Sequence, residues 1–129
     1  MSDCCDAKGE ASYDVTVLGA GSAGFSAAIT AAEAGARVAL IGNGTIGGTC
    51  VNVGCVPSKT LIRAAEALHS AHVAERFKGL AASAHISNWK ALVGQKQELV
   101  DGLRTAKYSD LLSSYDAITY VEGDRKSVV

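Results

Sequence analysis

Tyr13-Asp14-Val15-Thr16-Val17-Leu18-Gly19-Ala20-Gly21-Ser22-Ala23-Gly24 is the stretch whose reading decides the fold. Its first half is a short β-branched run. Halted by glycines, such a run reads as a buried parallel strand. Its second half matches Gly-x-Gly-x-x-Gly. The first glycine turns sharply out of the strand, the second lets backbone approach a pyrophosphate, and the third lets helix and strand pack closely. The following helix offers N–H groups and the positive end of its dipole to phosphates. Alone the pattern is weak, because glycine-rich turns are common; its context must confirm it.

The context does. Ser22 to Ala34 is alanine-rich, with Phe25 and Ile29 four apart, and Gly35 is placed to end a helix in the left-handed conformation. Arg37 to Ile41 then reads as a second strand. Strand, helix and strand together run for about thirty residues, the length of a parallel crossover. Gly19, Gly21, Ser22, Ala23 and Gly24 are therefore candidate dinucleotide-binding residues, with Asn43 and Gly44 after the second strand as further candidates. One part of the fingerprint is missing. An acidic residue is expected to end the second strand and bind the ribose hydroxyls. The chain has Ile41-Gly42-Asn43 there. Asn43 is either a neutral substitute for that acid or a loop residue that binds nothing. The departure predicts weaker adenosine binding, not a different fold.

Further along, Gly42 to Thr49 holds four glycines in eight residues and reads as a loop. A helical pattern builds from Cys50, with Leu61, Ile62, Ala65, Leu68 and His72 at spacings of three and four. Pro57, the only proline, suits the first turns of that helix. Lys78 to Ser87 is a soft connection. Asn88 is a good N-cap for another helix, whose apolar face is traced by Trp89, Leu92, Val93, Leu99, Val100 and Leu103. Gly94 and Gly102 leave its ends open. Ala117 to Val121 reads as a third strand. The chain shows no internal repeat and no low-complexity tract.

Composition bounds the function classes. The 129 residues are 48% hydrophobic and 19% charged, as in globular proteins. Twelve basic and 13 acidic side chains give a formal charge of −1, with no basic cluster for nucleic acid or an anionic membrane. Met1 to Ser12 has neither the basic start nor the apolar run of a secretory signal. Phe25 to Ala36 is too short to span a bilayer. The expectation is a soluble, cytoplasmic protein, in which four cysteines point to redox, catalytic or metal chemistry rather than a structural disulfide framework.

The most informative segment is Gly47-Gly48-Thr49-Cys50-Val51-Asn52-Val53-Gly54-Cys55-Val56-Pro57-Ser58-Lys59. Two cysteines separated by four residues, on a loop entering a helix, can close a small ring. The turn imposes the geometry of that ring and makes it reducible, while a helix N-terminus stabilises a thiolate. A zinc site needs four suitably spaced ligands, and Cys4, Cys5, His69, His72 and His85 form no convincing second pair.

This segment resembles the active-site signature of the FAD-dependent pyridine nucleotide–disulfide oxidoreductases, a family that includes glutathione reductase, dihydrolipoamide dehydrogenase and mercuric reductase. Gly19 to Gly24 lies at the matching distance upstream. Lipoamide dehydrogenases usually carry Leu and Ile where this chain has Val51 and Val56. The wider blocks Gly44 to Cys50, Lys59 to Ala65 and Leu103-Arg104-Thr105-Ala106-Lys107-Tyr108 are most similar to mercuric reductases. The resemblance implies an α/β chain: a Rossmann-like FAD-binding domain with a parallel sheet, here incomplete. It implies that NADPH reduces FAD and that electrons pass to a Cys50/Cys55 disulfide and on to Hg(II), releasing Hg(0). By position, Cys55 is the sulfur next to the flavin and Cys50 the outer thiol that meets the substrate. Gly48 and Thr49 line the flavin, and Lys59 sits by its reactive edge. The bland alternative for Lys59 is a solvated helix lysine. Members act as homodimers, which is expected of the full-length protein.

The same resemblance raises expectations about the ends of the chain. Residues 1–12 read as a flexible tail, 13–123 as the amino-terminal part of the FAD-binding domain, and 124–129 as a non-family ending. Family members are several times longer and carry the NADPH site later. One back-translation of Asp124-Arg125-Lys126-Ser127-Val128-Val129 reads like a sequencing-adapter segment running into a stop codon. The chain is thus expected to be a truncated product without turnover of its own. Cys4-Cys5 cannot be mapped onto the family's carboxyl-terminal vicinal pair; it is a mercury-capturing tail or an idle one. Two other readings stay open: a fragment of dihydrolipoamide dehydrogenase or a related disulfide reductase, and a non-catalytic flavin- or metal-binding module.

Overall fold

The computed structural model describes residues 12–123; Cys4, Cys5 and the 124–129 ending lie outside them. The described residues divide into two compact units, residues 12–44 with 112–123, and residues 45–111.

The first unit is an α/β layer. Strand β1 spans Val15–Leu18, helix α1 Ser22–Glu33, strand β2 Val38–Gly42 and strand β3 Ile118–Glu122. The sheet is parallel, in the order β1-β2-β3. Val15 pairs with Val38 and Leu18 with Ile41, and on the other side Val38 pairs with Ile118 and Gly42 with Glu122. All five residues of β2 are buried, with Val38 and Leu40 at 0% exposure, so its uninterrupted apolar run is explained by neighbours on every side.

The expectation of a buried first strand is corrected. β1 is parallel, but Leu18 is 63% exposed and only Val17 is half-buried. An apolar run reports β-propensity and does not say how many neighbours a strand has. β1 pairs with β2 on one edge and with no other strand among the described residues.

Helix α1 follows its sequence pattern, burying Phe25 and Ala28 while Ile29 is only half-buried. It ends as the sequence requires. The Gly35 N–H bonds the carbonyl of Ala32 at 2.9 Å and the Ala36 N–H bonds that of Ala31 at 3.0 Å, with Gly35 at φ +90°. This is a Schellman closure, which leaves few last-turn carbonyls unpaired. Chain entry into β1 and β2 is tied together by Asp14, whose Oδ2 accepts from the Arg37 backbone N–H at 2.8 Å.

The second unit is helical. Helix α2 spans Gly48–Asn52, α3 spans Cys55–His72 and α4 spans Trp89–Arg104, with a 3-10 turn at Ala74–Arg76. Two sequence boundaries shift. The expected loop through Thr49 stops earlier, because α2 already begins at Gly48, and the single helix expected from Cys50 is broken at Val53–Gly54. α4 starts as expected: Asn88 Oδ1 accepts from the Ala91 N–H at 3.0 Å. It runs through both Gly94 and Gly102 and then widens into a π-turn over Thr105–Ser109.

The apolar face expected for α4 is not deeply buried, and neither are the residues that mark the helical spacing of α3. α3 has no fully buried residue, Ile62 is 54% exposed, and α4 buries only Val100, with Trp89 59% exposed. Periodicity identifies the face, but burial depends on what packs against it, and here each helix is covered along one narrow stripe.

Candidate active site

The cysteine pair is set by the helix break. Cys50 is the third residue of α2, and Cys55 is the first of α3. Val53 and Gly54 turn the chain between them, at φ −138° and −110°. A Cβ on Gly54 would lie 2.9 Å from the Thr49 carbonyl oxygen, so the turn folds back tightly onto α2. α3 is then closed by the Ser58 N–H, which donates to the Gly54 carbonyl at 3.1 Å. Pro57 is the third helical residue, where its missing N–H costs no helix bond.

Both thiols are free and exposed. Hydrogen bonding to Cys55 pushes the Cys50 thiol above its ordinary value. Desolvation and the nearby Cys55 act in the same direction, while the Cys55 backbone N–H and the positive charge of Lys59 oppose it. Lys59 is exposed, yet its charge is felt at Cys50. A dithiol of this kind can lose two electrons and two protons to form a disulfide, or lose protons and bind a soft cation through sulfur. Among the described residues, no three His, Cys, Asp or Glu side chains converge as a metal-ion site.

Residues between and beyond the cysteines hold this geometry, and sequence reasoning gave them no role. Asn52, the last residue of α2, donates from Nδ2 to the carbonyls of Ile46 and Gly48, both at 2.9 Å. Its Oδ1 accepts from Arg104 Nη1 at 3.1 Å, and Arg104 Nη2 is paired with Asp101 Oδ1 at 2.7 Å. Gln97 Nε2 donates to the same carboxylate oxygen at 3.0 Å. The side chain of Tyr108, buried and carried on the π-turn, packs against Gly47, where an added Cβ would meet its ring at 3.3 Å. Arg104 and Tyr108 fall in the block that already looked family-like, but no local pattern links them to a loop fifty residues earlier. A shallow cavity of about 360 Å3 beside Ala64, Leu68, Ile86 and Leu92 contains none of the expected site residues.

The glycine turn lies in the other unit. The Gly19 N–H donates to the Ile41 carbonyl at 2.7 Å, and Gly19 takes φ +112°. A Cβ on Gly24 would fall inside the Gly19 carbonyl group, so the third glycine is required by the close approach of α1 to the turn. Gly21 is the N-cap of α1 and brings no side chain of its own to that end. A glycine cradle at a helix N-terminus fits the pyrophosphate of a dinucleotide such as FAD. Ser22 and Ala23 open that helix and are exposed, as are Asn43 and Gly44 after β2. In the second unit Gly48 is half-buried and Thr49 exposed, immediately before Cys50.

Comparison with known proteins agrees with this chemistry. Residues 13–126 match the family described as pyridine nucleotide-disulphide oxidoreductase. A mercuric reductase from Lysinibacillus sphaericus is 47% identical over 119 residues, which is 92% of this chain and 21% of that protein. One from Streptomyces lividans is 48% identical over 103 residues, 80% of this chain and 22% of that protein. Among solved structures, the HOCl-induced flavoprotein disulfide reductase RclA from Escherichia coli superposes with a TM-score of 0.67 at 32% identity, covering 87% of this chain and 22% of its own. The chain thus spans about a fifth of the length of these relatives. The family match extends over the glycine turn, the helix break with its two thiols and all three strands, and the chain belongs to the pyridine nucleotide-disulphide oxidoreductases.

Proposed function

We propose that this chain carries the FAD-binding turn and the redox-active dithiol of a mercuric reductase. The observation that carries the reading is the pair of free, exposed thiols Cys50 and Cys55, set on two consecutive helices across a sharp break with the charge of Lys59 felt at Cys50. Its likeness to mercuric reductases at 47% and 48% identity favours Hg(II) over lipoamide as the acceptor.

Gly19, Gly21, Ser22, Ala23 and Gly24 hold the pyrophosphate, and Gly48, Thr49 and Lys59 serve the flavin ring, with Asn43 and Gly44 at the adenosine side. FAD, when bound, supplies the two-electron step between NADPH and the disulfide. Cys55 is the inner sulfur and Cys50 the outer one. Reduction opens the disulfide to two thiols, which lose their protons and take Hg(II) as substrate, because soft thiolates outcompete harder ligands for it. Over the full reaction NADPH and Hg(II) give NADP+, a proton and Hg(0). Residues 13–123 contribute the flavin and sulfur parts, and NADPH is held elsewhere in the full-length homodimer. No described helix is long and apolar enough to cross a membrane.

The reading is tested by titrating the reduced chain with Hg(II) in a Cys4→Ser/Cys5→Ser background and following the ultraviolet thiolate–mercury band. Saturation at one equivalent, abolished by Cys50→Ser or Cys55→Ser, is expected. Undiminished binding after both substitutions would count against it.

A further inference from the structure

A dinucleotide fingerprint ends its second strand on a carboxylate that binds the adenosine ribose, and this chain has Gly42 there. The position is not a vacant gap. Gly42 is buried, and a Cβ built on it would lie 2.5 Å from Ala20 Cβ, 2.9 Å from the Tyr120 hydroxyl oxygen and 3.1 Å from Tyr120 Cε2. The space an acidic side chain would enter is taken by the phenol of Tyr120.

Strand register explains the encounter. Leu40 pairs with Tyr120 and Gly42 with Glu122. Residues two apart on a strand share a face, so Tyr120 stands on the same face as Gly42. Its ring leans along the strand toward the carboxyl end of the sheet, the end at which ligands of parallel α/β sheets bind. Ala20, the second residue of the glycine turn, borders the same space.

We propose that the Tyr120 hydroxyl replaces the missing carboxylate as the group that hydrogen-bonds the ribose of the bound dinucleotide. The inference rests on the flavin reading above. A glutamate places its carboxyl carbon two carbon–carbon bonds, about 2.5 Å, beyond Cβ. The Tyr120 oxygen stands 2.9 Å from that same Cβ position. A carboxylate only accepts, whereas a phenol donates and accepts, so either ribose hydroxyl suits it. Burial, and then the charge of Glu122, push the Tyr120 phenol above its ordinary range and keep it a donor. The bond is neutral and therefore weaker than the charge-assisted bond it replaces.

The test is an FAD titration of the 129-residue chain by quenching of flavin fluorescence, with FMN as the ligand that lacks adenosine. Tyr120→Phe removes only the hydroxyl. It is expected to raise the Kd for FAD about tenfold, the size of one net hydrogen bond, and to leave FMN binding unchanged. Equal FAD affinity in Tyr120→Phe would overturn the proposal. So would a loss confined to Glu122→Gln or Asn43→Ala, which would move the contact to that residue. A flavin-free arm tests the steric premise: Gly42→Glu is expected to lower the urea midpoint, and Tyr120→Val in the same chain to recover part of the loss, since Ala20 still crowds the added Cβ. A Gly42→Glu chain as stable as the parent would overturn that premise. Absence of FAD binding by the parent chain would overturn the flavin reading, and the ribose role with it; the urea arm separates that failure from a misplaced Tyr120.

Discussion

Cys50 and Cys55 lie on either side of the helix break at Val53–Gly54, and hydrogen bonding to Cys55 pushes the Cys50 thiol above its ordinary value. A raised thiol is protonated at neutral pH, and alkylation proceeds through the thiolate. The reaction of Cys50 with iodoacetamide should therefore rise with pH through a midpoint above that of an ordinary thiol. Cys55→Ala removes the bonding partner and should move the midpoint down, whereas Lys59→Met removes an opposing positive charge and should move it up. Residue-resolved mass spectrometry over a pH series checks both directions.

Arg104 holds the Asn52 amide from α4, and its guanidinium is only 28% exposed. Arg104→Met should destabilise the chain by about 1–2 kcal/mol, as expected for a partly buried charged hydrogen bond. Asn52→Ala leaves carbonyls of the redox loop without their donor and should cost a similar amount. If the two act through one bond, the double variant will lose less than the sum of the singles. Urea denaturation of the four proteins provides the cycle.

Gly24 has no room for a side chain against the Gly19 carbonyl. Gly24→Ala should force α1 away from the turn and cost about 1–3 kcal/mol, in the range of overpacking substitutions. FAD binding should fall along with the denaturation midpoint. A Gly24→Ala chain with an unaltered midpoint would contradict the observed approach.

Asn88 supplies the side-chain cap of α4. Asn88→Ala should cost about 1 kcal/mol, and Asn88→Ser should recover most of it, since serine caps the same N–H. Urea midpoints of the two variants decide the matter.

Asp14 is held below the ordinary carboxylate range, first by the Arg37 backbone N–H and then by its side chain. A depressed folded-state value means the contribution is present above the ordinary range. It disappears as acid titrates the folded carboxyl at still lower pH. Asp14→Asn should flatten the acid limb of stability against pH by lowering stability slightly at neutrality, because the pair is exposed and screened, and leaving it unchanged in strong acid. Circular dichroism during acid titration measures the limb.

Local chemistry made much of this protein legible in its sequence. The glycine turn, the α1 helix with its Gly35 closure, β2, the Asn88 cap and the cysteine spacing each depend on residues within a few positions of one another. Such features follow from backbone geometry and side-chain periodicity. The break between α2 and α3 was less legible, because Gly54 is an ordinary loop residue until its approach to Thr49 is known.

Only tertiary structure decided the rest. The exposure of β1 depends on which strands lie beside it, and periodicity carries no count of neighbours. Arg104 reaches Asn52 across 52 positions of sequence, and Tyr120 covers Gly42 because β3 pairs with β2 in one register and no other. Contacts of that separation leave no mark in local patterning, since each partner alone is an unremarkable helix arginine or strand tyrosine. The sequence by itself thus determined the local elements, a glycine turn between strand and helix and a closely spaced cysteine pair, whereas packing decided which side chains hold the cysteine loop and which one crowds Gly42.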